Sequence, residues 1–554
     1  MVRSAIFSVF FLWTSQIIIA SSDAYVFAVY FKDKAHNQYS LSRPKEFLSQ
    51  KCLERRAIQN IGFYESDLPV TKFYSDSLLS FDVRFLNASK WLNCAILSSD
   101  KPEVFDEISK LGFVEKVVKV SAPTAILKKQ QSKFETLNEL SADEFVANEY
   151  YGLSSNQNTM IRVDFLHARG FKGDSVDVAV FDSGFNNAMG ISGFDSLFLG
   201  GRFLGSLDMK DNDGNVFNDG SHGTACLSCM AANEPGRMVG TAPNANYALF
   251  RTEVGESETM EEEYFWAFAA EFAESGGAEV FSTSLGYTTF DDTSTNHTYA
   301  DLDGNTTVIT RASNIAARLG IVVLNSAGNY GASAWSYIGA PADADSILAV
   351  GAVNENRIYA LFSSIGPNSS GRIKPDVCAR GVGTAVYNTL GEVYGANGTS
   401  FSCPVLAGGA ACLRQAFRNI HAMELMQAIR ESAHKFKSPT DTIGYGIPDL
   451  AVAYMLLFNS QEHHHHHDNL LSDVDIFPNP FSNLVNIYVG KPLEEKIKVS
   501  IFDFNGKLVQ EEEMFFQNND KQLISVNTSN LSKGVYLLKL QGKSFYDVKR
   551  IVRQ

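Results

Sequence analysis

The stretch GTSFSCP, residues 398–404, sets Ser400 between a glycine and a proline, and the fold is read outward from it. A serine hydroxyl is a poor nucleophile at neutral pH unless an imidazole takes its proton. That imidazole in turn needs a carboxylate to fix its tautomer and balance its charge. Two earlier stretches supply both partners: VFDSG at 180–184 carries Asp182, and DGSHGT at 219–224 carries His222. The β-rich run 176–181 predicts a strand whose end presents Asp182. Gly223 and Thr224 lead the chain from His222 into a helix, and a long helix is expected over 402–419, just after Ser400. Alone, an Asp-Ser-Gly triplet is most often a turn and a single histidine a packed or surface residue. The three stretches together, in the order Asp, His, Ser, point to acyl-transfer chemistry.

These motifs resemble those of the subtilisin-like serine proteases, the subtilases, over roughly residues 156–450. A fourth stretch, NSAGN at 325–329, belongs to the same pattern. The resemblance implies that Ser400 is the nucleophile, His222 the general base and acid, and Asp182 its orienter. It also implies that Asn329 donates its side-chain amide to the oxyanion beside the Ser400 backbone N–H. FSTSLG at 281–286 resembles the family strand that pairs with an extended substrate, which makes Ser284, Leu285 and Gly286 the substrate-binding candidates. Phe401, Ser402 and Cys403 depart from the methionine- and alanine-rich form of the serine segment, which touches rate and specificity rather than reaction class. The implied activity is hydrolysis of peptide bonds in proteins through an acyl-enzyme, with an apolar side chain expected at P1, the substrate residue before the scissile bond. The alternatives are a noncatalytic surface adhesion protein on the same scaffold, or a serine esterase. An esterase of the α/β-hydrolase type would carry a G-x-S-x-G elbow and a different triad order.

At 554 residues the chain exceeds what one hydrophobic core supports, and the pattern divides it. Residues 1–20 read as an export signal, with its end as late as residue 24. Residues 24–124 alternate strand and helix patterns and resemble the propeptides of bacterial subtilases, which template folding and occupy the cleft until removed. A polar connector follows at 125–155, then the peptidase domain at 156–455, where apolar strands alternating with helices predict a mostly parallel sheet with helices on its faces. Residues 456–472 hold a five-histidine run and read as a polar linker, or an added tag, rather than a physiological metal site. Residues 473–554 show short alternating strands of a small β-sandwich. Their FPNP (477–480), FDFNG (502–506) and LSKGVYLLKL (531–540) resemble the C-terminal sorting domain of Bacteroidetes type IX secretion substrates. A retained binding module is the alternative. The fold class is therefore α/β: a subtilisin-like sheet flanked by helices, a small α/β propeptide before it and a small β-sandwich after it.

A formal charge of −15 and the lack of a basic patch argue against nucleic acid as a partner. The expected partners are protein or peptide substrates, the chain's own propeptide and the type IX machinery. The expected location is secreted or on the outer-membrane surface, with no transmembrane domain in the mature protein. Seven cysteines are too few for a disulfide scaffold at this length. Cys226, Cys229, Cys403 and Cys412 read as thiols packed between two central helices rather than as zinc ligands. The chemistry needs no cofactor. The stretch DMKDNDGN at 208–215 offers oxygens of the kind calcium takes, without EF-hand spacing, so a structural calcium stays open and no ligands are assigned.

Overall fold

The computed structural model describes residues 24–123, 149–255, 257–464, 474–477, 481, 483–489, 496–503, 507–515, 522–543 and 546–553. The export signal, most of the connector and the end of the histidine run lie outside them. The chain forms two compact units, residues 1–457 and 458–554.

In the first unit, seven parallel strands build the central sheet. Their spatial order is Val377–Arg380, Leu348–Val353, Val322–Ser326, Val280–Thr283, Asp177–Asp182, Asn246–Arg251 and Phe203–Asp208. Burial on both faces explains their unbroken apolar runs: Val178, Ala179, Phe181, Val280, Phe281, Val322 and Leu324 are all fully buried. The chain enters at Asp177–Asp182 and builds first to one side, then to the other. The strand order therefore reverses there, and the crevice at the carboxyl ends of the strands opens beside Asp182 and Thr283. Two central helices, His222–Ala231 and Thr399–Ala416, pack against each other and against the sheet.

The helix predicted over 402–419 begins earlier, at Thr399, and this changes the role of Pro404. Read as a first-turn proline from the sequence, it lies in the second turn, where it has no N–H for the carbonyl four residues back, that of Ser400. Two side chains repair the gap: Ser284 Oγ donates to the Ser400 carbonyl at 2.8 Å and Cys226 Sγ at 3.3 Å.

Before the central sheet stands a four-stranded antiparallel sheet in the order Arg84–Ser89, Cys94–Ser99, Tyr25–Phe31, Val114–Ser121. One face carries its own core, including Val29, Phe31, Tyr74, Leu97 and Phe105. The other meets the helices Glu261–Gly276 and Val308–Arg318 that flank the central sheet. Tyr30 Oη lies 2.8 Å from Tyr264 Oη, and Arg311 donates to Tyr30 Oη at 3.1 Å. The helical pattern across 44–60 is two pieces, a single 3-10 turn at Pro44–Glu46 and a helix at Gln50–Ile58. The break falls where Ser49 turns extended to cap the second piece, accepting from the Cys52 N–H at 3.1 Å.

The helix Leu450–His464 runs into the stretch read as a linker from 456, because its apolar pattern continues through buried Met455 and Leu457. In the second unit, three strands (Val474–Phe477, Leu484–Val489, Gln522–Asn527) form one antiparallel sheet. Four (Leu508–Phe515, Lys496–Asp503, Gly534–Gln541, Tyr546–Arg553) form another. Val485, Ile487, Ile497, Val499, Ile501, Leu538, Leu540 and Ile551 fill one shared core, as period-two alternation demands.

Candidate active site

Asp182 ends its strand and is fully buried. Its Oδ1 accepts from the Ser183 N–H at 2.8 Å and lies 2.8 Å from His222 Nδ1. That contact assigns the Nδ1 proton to the face toward Asp182 and leaves Nε2 as the ring's acceptor. His222 is the first residue of its helix, and Gly223 explains how the helix comes so close to the strand. A β-carbon at Gly223 would lie 2.4 Å from the Gly184 carbonyl and 2.9 Å from Asp182 Cβ, so any larger residue would push the imidazole off its carboxylate.

Ser400 occupies the first turn of the other central helix, 8% exposed. Its Oγ donates to the Ser284 carbonyl at a long 3.4 Å, while its own carbonyl is held by Ser284 and Cys226 as described. Cys226 therefore touches both halves of the site: its sulfur also lies 3.7 Å from His222 Nδ1 and 3.9 Å from Nε2. Burial, reinforced by the Asp182 charge, pushes its thiol pKa well above the usual range, so it remains a protonated donor. All seven cysteines are free and buried, in keeping with packed thiols. Phe401, the departure noted in the sequence, lays its ring 5.8 Å from the His222 ring, centroid to centroid, and supports the imidazole from the serine helix.

Asn329 is exposed, beyond the strand Val322–Ser326. Its Oδ1 accepts from both the backbone N–H and the hydroxyl of Thr399, each at 2.9 Å. With the oxygen so engaged, the Nδ2 donor faces away from Thr399, next to the helix start that carries Ser400. A threonine just ahead of a predicted helix reads from sequence as a helix cap. The cap is Gly398 instead, and Thr399 orients the amide, a contact between residues 70 apart that no local signal announces.

Ser284, Leu285 and Gly286 follow the strand Val280–Thr283 along the crevice. The Leu285 carbonyl is held from within, accepting from Asn325 Nδ2 at 3.0 Å. The acidic stretch proposed for calcium folds around an arginine. One Arg251 guanidinium nitrogen lies 2.7 Å from Asp208, 2.6 Å from Asp211 and 3.4 Å from Asp219, so these carboxylates already share a cation and do not fit a calcium cage.

The subtilase family matches residues 173–446. The curated relatives include subtilisin NAT of Bacillus subtilis subsp. natto, 33% identical over 354 residues, 60% of this chain and 81% of the relative. Subtilisin E of Bacillus subtilis (strain 168) is 33% identical over the same shares. The subtilisin of Bacillus pumilus is 35% identical over 269 residues, 48% of this chain and 83% of the relative. The chain belongs to the subtilase family. Flanking its peptidase segment, the Bacteroidota peptidase S8 propeptide domain matches residues 26–137 and the secretion system C-terminal sorting domain matches 475–554. This subtilase is a serine endopeptidase with its own propeptide and a type IX secretion sorting domain, and it is secreted or surface-associated. Among the described residues, no helix is long and apolar enough to cross a membrane.

Proposed function

We propose that Asp182, His222 and Ser400 are the catalytic triad of this subtilase, with Asn329 and the Ser400 N–H as its oxyanion donors and Ser284, Leu285 and Gly286 as its substrate-pairing segment. The 2.8 Å contact between His222 Nδ1 and a fully buried Asp182 carries the reading, because it fixes the tautomer that makes Nε2 a base. The Ser400 hydroxyl leaves the Ser284 carbonyl, gives its proton to Nε2 and attacks the scissile carbonyl carbon. The carbonyl oxygen becomes an anion held by Asn329 Nδ2 and the Ser400 N–H at the positive end of its helix. The imidazolium then returns the proton to the departing amine as the C–N bond breaks. Water repeats the sequence on the acyl-enzyme: Nε2 takes its proton, its oxygen displaces Ser400 Oγ, and the serine regains the proton. The Ser284 carbonyl, freed by the serine, accepts from a substrate backbone N–H.

We assign the segments 24–124, 156–455 and 473–554 to propeptide, peptidase and sorting domain, with maturation cleavage between 125 and 155. A fluorophosphonate probe followed by peptide mass spectrometry tests the nucleophile. The expected adduct is on Ser400 and is absent from His222→Ala. Labelling of another serine would overturn the assignment.

A further inference from the structure

We infer that Tyr330 plugs the P1 side-chain slot and restricts this protease to small P1 residues such as alanine. The inference rests on the catalytic reading above and narrows its substrate class. A P1 residue whose carbonyl carbon meets Ser400 Oγ, whose oxygen meets Asn329 Nδ2 and whose backbone runs along Ser284 must send its side chain between two chain segments. These are the continuations of the neighbouring strands Val280–Thr283 and Val322–Ser326.

The two continuations are stitched together at Leu285, whose carbonyl is bound by Asn325 at 3.0 Å and by Ser326 at 3.4 Å. Past that stitch the walls are glycines. A β-carbon at Gly286 would find nothing nearer than 3.9 Å, the Ala340 carbonyl, and Gly328 faces from the other strand. The missing side chains at Gly286 and Gly328 leave room between the two segments, and the Tyr330 side chain enters it. Its ring lies against Gly328, where an added β-carbon would sit 3.1 Å from Cδ2 and 3.2 Å from Cε2. Its hydroxyl crosses to the Gly286 carbonyl at 3.3 Å. The Tyr330 N–H donates to Ser364 Oγ at 3.0 Å, which pins the backbone from which the ring projects. Tyr330 thus spans the two walls, its ring against Gly328 and its hydroxyl on the Gly286 carbonyl, and takes the volume a phenylalanine or leucine at P1 would fill. The hydroxyl contact is long for O–H···O, so the ring, more than the bond, is the obstacle.

The test uses the full chain after its own maturation and succinyl-Ala-Ala-Pro-X p-nitroanilides with X alanine, leucine or phenylalanine. Wild type is expected to favour alanine over phenylalanine in kcat/KM by about tenfold or more, the scale on which one misfitted side chain is rejected. Tyr330→Ala is expected to raise the phenylalanine-to-alanine ratio by about tenfold or more. Tyr330→Phe, which keeps the ring and loses the hydroxyl, is expected to keep the wild-type order. Wild type cleaving best after phenylalanine or leucine would overturn the plug, and that profile decides even if Tyr330→Ala does not fold. A folded Tyr330→Ala with an unchanged ratio would also overturn it. Fluorophosphonate labelling separates the two claims: an enzyme labelled at Ser400 that prefers phenylalanine loses only the plug, whereas one that neither labels nor cleaves any peptide loses the triad and the plug together.

Discussion

At the scale of single residues, the site depends on contacts that hold each group at one protonation state or orientation. Asp182→Asn keeps the shape but permits the wrong His222 tautomer, and kcat is expected to fall by roughly 10⁴-fold in a peptide assay, with the protein still folded by circular dichroism. On the proposed reading, Asn329→Ala removes a donor that acts only when the oxyanion forms. The expected loss is about a hundredfold or more in kcat with KM little changed, and a raised KM at constant kcat would show ground-state binding instead. The residues proposed to carry the chemistry could be picked from the sequence because such a reaction demands particular side chains next to glycines. Thr399, Cys226 and Arg251 could not, because their work is done across the fold. Thr399 reads as a helix cap until Asn329, 70 residues away in the chain, is set against it. Cys226 reads as a packed thiol until Pro404 leaves the Ser400 carbonyl without its helical donor.

At the scale of elements, the propeptide helix Gln50–Ile58 drives Arg55 and Arg56 onto Glu274 of the peptidase helix Glu261–Gly276, at 2.6 and 2.7 Å. Arg56 also pairs with Asp67 through both guanidinium nitrogens, and Arg56, Asp67 and Glu274 are all fully buried. Arg56→Ala leaves two buried carboxylates short of a cation. The expected loss is about 3–5 kcal/mol of propeptide–peptidase stability, measured by denaturation of the uncleaved Ser400→Ala chain. Burial pushes the Glu274 pKa up, but the charges of Arg56, Lys90 and Arg55 outweigh it and hold the carboxyl well below the usual range. Once the propeptide departs, those cations from Arg55, Arg56 and Lys90 go with it. The stabilisation is therefore fully present above the ordinary carboxylate pKa of about 4.3 and is lost as pH falls toward the depressed value. The cleaved propeptide is expected to stay bound at neutral pH and to be released increasingly below about pH 4.5, as read by size-exclusion chromatography, whereas retention independent of pH would contradict the Glu274 contribution. Strand existence was legible here from apolar runs. The split at Ser49 and the early start of the serine helix were not, because end points depend on capping contacts rather than on periodicity.

At the scale of the whole molecule, the proposed division gives the chemistry to the peptidase segment and the address to the terminal one. The central segment was legible as one α/β pattern and the terminal segment as a small β-rich unit, because period-two and buried-strand patterns are strong. The extension of the helix Leu450–His464 past 456 was not, because polar residues at its end look like a linker. Deleting residues 473–554 is expected to leave peptide hydrolysis intact while abolishing appearance outside the outer membrane, checked by fractionating a type IX secretion-competent host. Loss of activity with normal export would reverse that division.

The most direct measurement of the central claim is the fate of the full chain in the wild type and in Ser400→Ala, purified identically and followed by intact mass over time. Wild type is expected to cut itself within residues 125–155 and to hydrolyse peptide substrates. Ser400→Ala is expected to remain one uncut, folded chain with no turnover. A folded Ser400→Ala protein that matures and hydrolyses peptides at near-native rates would contradict the account.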